Sequence, residues 1–328
     1  MIKKETDVHE KKIGFTLRSL RLCGEIVSLA FICGSVAILG KPNVGKSTFL
    51  NSALKQKIAI VSHRPQTTRG SMAGIFQDQG SQIVFYDTPG IHQPHNKLSQ
   101  FMLHEVEEVL DGADAALFLI DAKDGIKDEE VLTAEWLKKF KKPVLCLLNK
   151  MDKVPAGRIQ ELAGKIKAEL GDWPQFRMSA ISGKGVPDII RELQKILPRQ
   201  PALFPEEELT NKTMREIAAE MVREQCFLQL QEELPYGVAV IIDDFVEKAP
   251  PAPVVIKATI YVEKDSQKGI VIGAAGKQLK AIGTAARREI EKMLEQKVFL
   301  ELWVKVLKNW RKDEEVLKKL GYNITKKK

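Results

Sequence analysis

A chain of 328 residues is longer than one hydrophobic core usually serves, so two domains are expected. Its 44% hydrophobic and 29% charged residues exclude a disordered or membrane-embedded chain, and a net charge of +8 favours an anionic partner such as nucleic acid. The four cysteines, Cys23, Cys33, Cys146 and Cys226, form no C-x-x-C pair and share no metal-like spacing with the five histidines, which points to a reducing, cytosolic setting. Residues 1–34 are expected to be a disordered or weakly helical extension. Met1 to Lys12 mixes acids and bases, unlike a transit peptide, and the apolar stretch Ile26 to Leu39 is broken by Ser28, Gly34 and Ser35 and is too short to span a bilayer.

The first strand is read at Val36 to Leu39. It runs into Gly40-Lys41-Pro42-Asn43-Val44-Gly45-Lys46-Ser47, which meets G-x-x-x-x-G-K-[ST] at every fixed position, and a helix from Thr48 to Leu54 follows. Glycines at both ends let the backbone wrap an anion, with successive N–H groups and the helix N-terminus facing a β-phosphate. Lys46 is expected to reach the β and γ oxygens, and the Ser47 hydroxyl to enter a Mg²⁺ shell.

Next comes the polar run Gln66-Thr67-Thr68-Arg69, read as a mobile loop in which one threonine closes over Mg²⁺ and phosphate, Thr68 rather than Thr67. A strand at Ile83 to Tyr86 delivers Asp87-Thr88-Pro89-Gly90. There Asp87 is expected to hold Mg²⁺ through water, and the Gly90 N–H to sense the γ-phosphate. Further strands at 115–120, 144–148 and 175–178, and helices at 98–110, 129–140, 158–170 and 186–197, describe βα units with a mostly parallel sheet and helices on both faces. Asn149-Lys150-Met151-Asp152, at a strand end, selects guanine. The Asp152 carboxylate accepts from the ring N1–H and the exocyclic amine, a donor pair adenine lacks. Asn149 is expected to brace the loop and face the base edge, Lys150 to lie along the ring, and Ser179-Ala180 to add a contact through the Ala180 N–H.

Pro198-Arg199-Gln200-Pro201, Pro205 and the acids 206–208 mark a boundary, which divides the chain into 35–203 and 204–328. The second part reads as a smaller α+β domain: a helix over 212–232, strands over 238–245 and 254–262, a glycine-rich turn, a helix over 277–293 and a strand over 298–306. Val271-Ile272-Gly273-Ala274-Ala275-Gly276-Lys277-Gln278-Leu279-Lys280-Ala281-Ile282-Gly283 matches the segment around the G-x-x-G loop of a KH domain. Its loop and Lys277 would meet phosphates, and an apolar groove fed by Val271, Ile272, Leu279 and Ile282 would take unstacked bases. Residues 204–328 hold 22 Lys plus Arg against 20 Asp plus Glu, so basic character is local. Lys268, Lys277, Lys280, Arg287, Arg288 and Lys292 face only Glu289 and Glu291 in their window, although Arg287 and Arg288 also suit a solvated helix face.

The nucleotide motifs resemble those of translation-factor-type GTPases with one departure. Ile91 stands where a water-orienting Gln follows the glycine, so slow intrinsic hydrolysis is expected. In the hydrophobic-substituted GTPases that the chain resembles, an Asn at the Asn43 position helps to hold a monovalent cation, here K⁺, near the phosphates. Together with the KH segment, Glu232-Glu233-Leu234-Pro235-Tyr236 and Leu300-Glu301-Leu302-Trp303-Val304-Lys305-Val306, residues 35 to about 323 are similar to the Era-type GTPases. The resemblance implies a P-loop GTPase domain followed by a type II KH domain with its core at about 211–306. It implies a monomeric cytoplasmic protein that grips small-subunit rRNA near its 3′ end through Gly273 to Lys277, Lys280, Arg287 and Arg288 and assists 30S maturation. It also implies some peripheral contact with the inner face of the plasma membrane. Two other classes fit fewer features: a nucleotide-stabilised RNA clamp with negligible turnover, which Ile91 suits, and a membrane-linked signalling switch. Asn149 and Asp152 disfavour an ATP-driven enzyme.

Overall fold

The structure is a computed structural model and describes residues 31–322. Cys23, most of the expected extension and the Lys326-Lys327-Lys328 tail lie outside them. β1 (Ile32–Leu39) begins four residues before the strand read from sequence, so residues 32–34, assigned above to the extension, belong to the sheet.

In chain order there follow α1 (Lys46–Leu54), β2 (Met72–Gln77), β3 (Ser81–Asp87), α2 (Lys97–Gly112), β4 (Ala115–Asp121), α3 (Asp128–Lys139), β5 (Val144–Asn149), α4 (Ala156–Lys165), β6 (Gln175–Arg177) and α5 (Val186–Ile196). The strands order as β2-β3-β1-β4-β5-β6, parallel except for β2 against β3. Side chains alternate across the pleat. Val36 and Ile38 therefore pack with Phe49 and Leu50 of α1 and Ile189 and Leu193 of α5. Ala37 and Leu39 pack on the other face with Val106 of α2, Leu137 of α3 and Leu162 of α4. Burial on both faces explains the unbroken apolar runs of β4 and β5.

The second half comprises α6 (Met214–Gln229), β7 (Ala239–Val246), β8 (Val254–Val262), α7 (Asp265–Ile272), α8 (Lys277–Leu294), β9 (Val298–Val306) and the short α9 (Glu314–Lys319). β8 pairs antiparallel with β7 and parallel with β9. The αββααβ order with a three-stranded sheet is that of a type II KH fold. One expectation fails here: the segment before the G-x-x-G loop is helix α7, not a turn, so the loop joins two helices. Gln267 Oε1 accepts from the backbone N–H groups of Glu263 and Lys264 (2.9 and 3.1 Å) and starts that helix, whose Gly269 and β-branched end mask it in the sequence.

The connector between the halves lies along the first sheet. Arg199 bridges to Ile32, the Ile75 N–H donates to Leu209 O at 2.9 Å, and Ala73 N–H to Asn211 Oδ1 at 3.0 Å. Among the described residues no helix is long and apolar enough to cross a membrane.

Candidate functional site

At the C-terminal ends of β1, β3, β5 and β6, the loops that follow these strands and the segment between α1 and β2 enclose a cavity of about 370 Å³. The first wraps from Gly40 to Gly45, both at positive φ (145° and 105°). A Cβ on Gly40 would lie 2.5 Å from Leu119 O, and one on Gly45 2.3 Å from the Asn149 side chain, so only glycine fits either position. Lys46 lies buried, donating to the carbonyls of Gly40 and Lys41 at 2.9 Å each, and burial pushes its ammonium down to about 8 despite the Asp87 carboxylate.

Oxygen atoms converge beside it. Ser47 Oγ donates to Asp87 Oδ2 at 2.6 Å, Thr68 Oγ1 donates to the same oxygen at 3.1 Å, and the two hydroxyls are 3.1 Å apart. Thr67 instead turns its hydroxyl to Arg64 O. Asp87 is buried, burial raises its carboxyl above the usual range, and its Oδ1 has no hydrogen-bond partner among the described residues. Two hydroxyls and a carboxylate with an orphaned oxygen form a hard-oxygen cluster that suits Mg²⁺.

Gly90 packs so tightly on the phosphate loop that an added Cβ would lie 2.6 Å from Pro42 N. Ile91 is fully buried against the helices on its side of the sheet. The Asn43 amide donates to His63 O at 2.7 Å.

At the far end, Asn149 Nδ2 donates to Val44 O (2.7 Å) and its Oδ1 accepts from Ala180 N–H (2.9 Å). Asn149 is thus buried, braces the phosphate loop and also lines the cavity, and the Ala180 N–H is engaged by its Oδ1. Lys150 spans from Asn43 O (2.8 Å) to Asp121 (2.5 Å), with its stem beside the cavity. Asp152 is exposed at the rim, accepts from Ser179 Oγ at 2.6 Å, and is held below the usual carboxylate range chiefly by that bond.

Not every residue of the motifs faces the cavity. Lys41 turns away to Asp124 (3.0 Å) and Glu130 (3.3 Å), Val44 and Met151 pack inward, and Thr88 Oγ1 donates to Ile38 O at 2.6 Å. Thr48 lines the cavity, whereas Pro89 does not. Sequence reading missed the wall made by Ile60 to His63, which carries no motif, and also His92, whose Nδ1 lies 2.8 Å from Gly90 O and whose Nε2 lies 3.2 Å from Gln66 Nε2.

In the second half, Gly273, Ala275 and Gly276 have positive φ (71°, 51° and 74°), and Ala274, Ala275, Lys277 and Lys280 are exposed. A groove beside them is lined by Leu279, Gly283, Arg287, Leu300 and Leu302. Val271 and Ile282 are wholly buried, so the groove is fed from β9 and not by them. Adjacent helix positions diverge by about 100°. Arg287 therefore lines the groove, while Arg288 lines a separate cleft with Lys57 and Glu224, away from the expected nucleic-acid face.

The model for a 50S ribosome-binding GTPase matches residues 35–150, and that for a KH domain matches 233–311. The GTPase Era of Ruminiclostridium cellulolyticum is 40% identical over 298 residues, 91% of this chain and all of that one. That of Geobacter metallireducens is 45% identical over 294 residues, 89% and 98% of the two chains. A solved structure of Era in complex with MgGDPNP and nucleotides 1506–1542 of 16S ribosomal RNA is similar at TM-score 0.86 and 38% identity, covering 90% of this chain and 100% of that one. An Aquifex aeolicus Era variant bound to GDP·AlF₄⁻ is similar at TM-score 0.85 and 37% identity, with the same coverage.

Proposed function

The chain belongs to the Era family of GTPases, and from that premise we propose that it hydrolyses GTP to reset a grip on small-subunit rRNA near its 3′ end and so assists 30S assembly. The observation that carries this reading is one chain holding both an anion-wrapping loop with a guanine-selecting tetrad and an intact G-x-x-G loop. The relative solved with MgGDPNP and 16S rRNA supports the same pair of ligands.

In this reading residues 35–203 bind GTP and GDP. Gly40 to Thr48 and Lys46 seat the phosphates, Asp152 reads guanine, and Asn149, Lys150, Met151, Ser179 and Ala180 shape the base end. Ser47, Thr68 and Asp87 would hold Mg²⁺, which neutralises charge on the β and γ oxygens. Thr88, Pro89 and Gly90 form the loop that reports the γ-phosphate. Residues 204–322 take RNA on Gly273 to Lys277, Lys280 and Arg287. The setting is the cytoplasm, where ribosomal subunits assemble, with the protein acting as a monomer and any membrane contact peripheral. Retention of a 3′-end rRNA oligonucleotide on a filter should be stronger with GMPPNP than with GDP, and equal retention would contradict the switch.

Lys46 sets a pH dependence. With its ammonium near 8 in the protein alone, phosphate beside it raises that value, so binding takes up a proton only above about pH 8. GDP affinity should therefore be level below pH 8 and fall up to ~10-fold per unit above it. A calorimetric series from pH 6.5 to 9.5 reads this directly, and a level profile to 9.5 would refute it.

The buried Ile91 supplies nothing that orients water, which suits a slow intrinsic rate. Asn43, whose amide nitrogen is engaged by His63 O, would offer its Oδ1 to K⁺, which would supply positive charge near the transferred phosphoryl group. Turnover should be at least about 5-fold faster in K⁺ than in Na⁺ buffer, a modest share of the ~10³-fold worth of an arginine finger. Equal rates would remove Asn43 from the catalytic set.

A further inference from the structure

The loop that carries Thr68 is held from the second half of the chain. Upstream, the carboxylate of Glu224 on α6 accepts from Lys57 Nζ at 2.7 Å and from the Val61 N–H at 2.8 Å. Directly before Thr68, the Thr67 carbonyl accepts from Arg223 Nη2 at 2.6 Å. Directly after it, the Arg69 guanidinium donates to Val238 O at 2.6 Å and Tyr236 O at 3.0 Å, and lies over the rings of Trp310 (5.5 Å) and Phe227 (5.8 Å). Arg223 and Arg69 are 1% and 3% exposed, so water cannot replace these partners. The threonine that meets Ser47 and Asp87 thus sits between two guanidinium anchors, both satisfied by or rooted in the second half.

Arg223 has a further property. Its Nε and Nη2 are paired with Glu220, but buried Nη1 has no hydrogen-bond partner among the described residues. A buried guanidinium with a spare donor favours any arrangement of the loop that brings one more carbonyl to it. An anchor of this kind can serve two loop positions.

We propose that Arg223, with Arg69 as the second anchor, is a positioning residue that sets Thr68 over the nucleotide from the RNA-binding half. A diphosphate complex needs Thr68 little, whereas a triphosphate complex needs it closed, so the anchors act on the difference between the two nucleotides. By linkage, whatever RNA does to α6 then changes triphosphate affinity, and triphosphate changes RNA affinity by the same factor. The RNA side of this inference rests on the switch reading above. The Thr68 side rests only on the nucleotide site proposed there, with Thr68 a ligand of Mg²⁺.

The test compares GMPPNP and GDP affinities of the full chain and of Arg223→Ala and Arg223→Lys. Loss of one buried charged hydrogen bond should weaken GMPPNP about 10-fold in Arg223→Ala and leave GDP within about 2-fold, with Arg223→Lys recovering most of the loss through a single donor to Thr67 O. A loss of both nucleotides that Arg223→Lys repeats, or no loss in either variant, overturns the role. Adding the 3′-end rRNA oligonucleotide separates the two claims. If RNA does not change GMPPNP affinity in the parent while the variants still split the nucleotides, the coupling reading fails and the positioning role stands. If RNA raises GMPPNP affinity equally in the parent and in Arg223→Ala, Arg223 does not carry the coupling.

Discussion

Lys46→Ala is expected to lose GTP and GDP binding by at least ~100-fold, since a hydrogen bond to a charged group carries about 1.5–3 kcal/mol and this lysine faces several phosphate oxygens. The fold should survive. Lys46 bonds only to the Gly40 and Lys41 carbonyls and to nothing in the hydrophobic core, and burial already disfavours its charge. Removing it relieves that desolvation but leaves Asp87 without its neighbouring cation, so the melting temperature of the protein alone should stay within roughly 4 °C of the parent, about 1 kcal/mol for a domain of this size. Equilibrium dialysis with labelled GDP, read beside a melting curve, checks both halves. Retained GDP affinity would mean that the cavity is not the nucleotide site.

The second large effect is expected at the G-x-x-G loop. Gly273→Asp places a Cβ 2.7 Å from Gln278 Cβ at a φ of 71°, and it sets a carboxylate where phosphates are to lie. Gly276→Asp isolates the charge. Its Cβ would meet no atom within 4 Å, and Asp tolerates the left-handed conformation better than most residues. Each change should weaken binding of the rRNA oligonucleotide by at least ~10-fold, from the loss of one or two phosphate contacts and the added repulsion. GDP affinity should stay within about 2-fold. Were Gly276→Asp to lose GDP as well, the division of labour between the halves would be wrong.

What could be read from the sequence was what local chemistry dictates. Gly40, Gly45 and Lys46 are fixed by backbone conformation and by the anion they surround, and Asn149 to Asp152 by their place at the end of β5. The parallel sheet was legible because strands buried on both faces are continuous apolar runs. β2 was missed because Gly74 interrupts a short run that ends in polar Gln77, and Gly74 is there because a Cβ would lie 2.5 Å from Leu50.

Other features depend on tertiary placement. Nothing in the run Ile58 to His63 signals a cavity wall until Glu224 and Asn51 hold its backbone in place. Arg69 looked like the last residue of a polar loop, yet it is among the most buried charges because its partners lie more than 150 positions away. The roles of Arg287 and Arg288 separated only once the rotation of α8 against β9 was known.

GTP turnover by the full chain in K⁺ buffer, with and without an oligonucleotide of the small-subunit rRNA 3′ end, tests the central claim most directly. Turnover should be slow alone and faster with RNA, and the stimulation should be lost in Gly276→Asp. Binding of both ligands with no turnover in either condition would contradict that claim and leave a nucleotide-stabilised clamp.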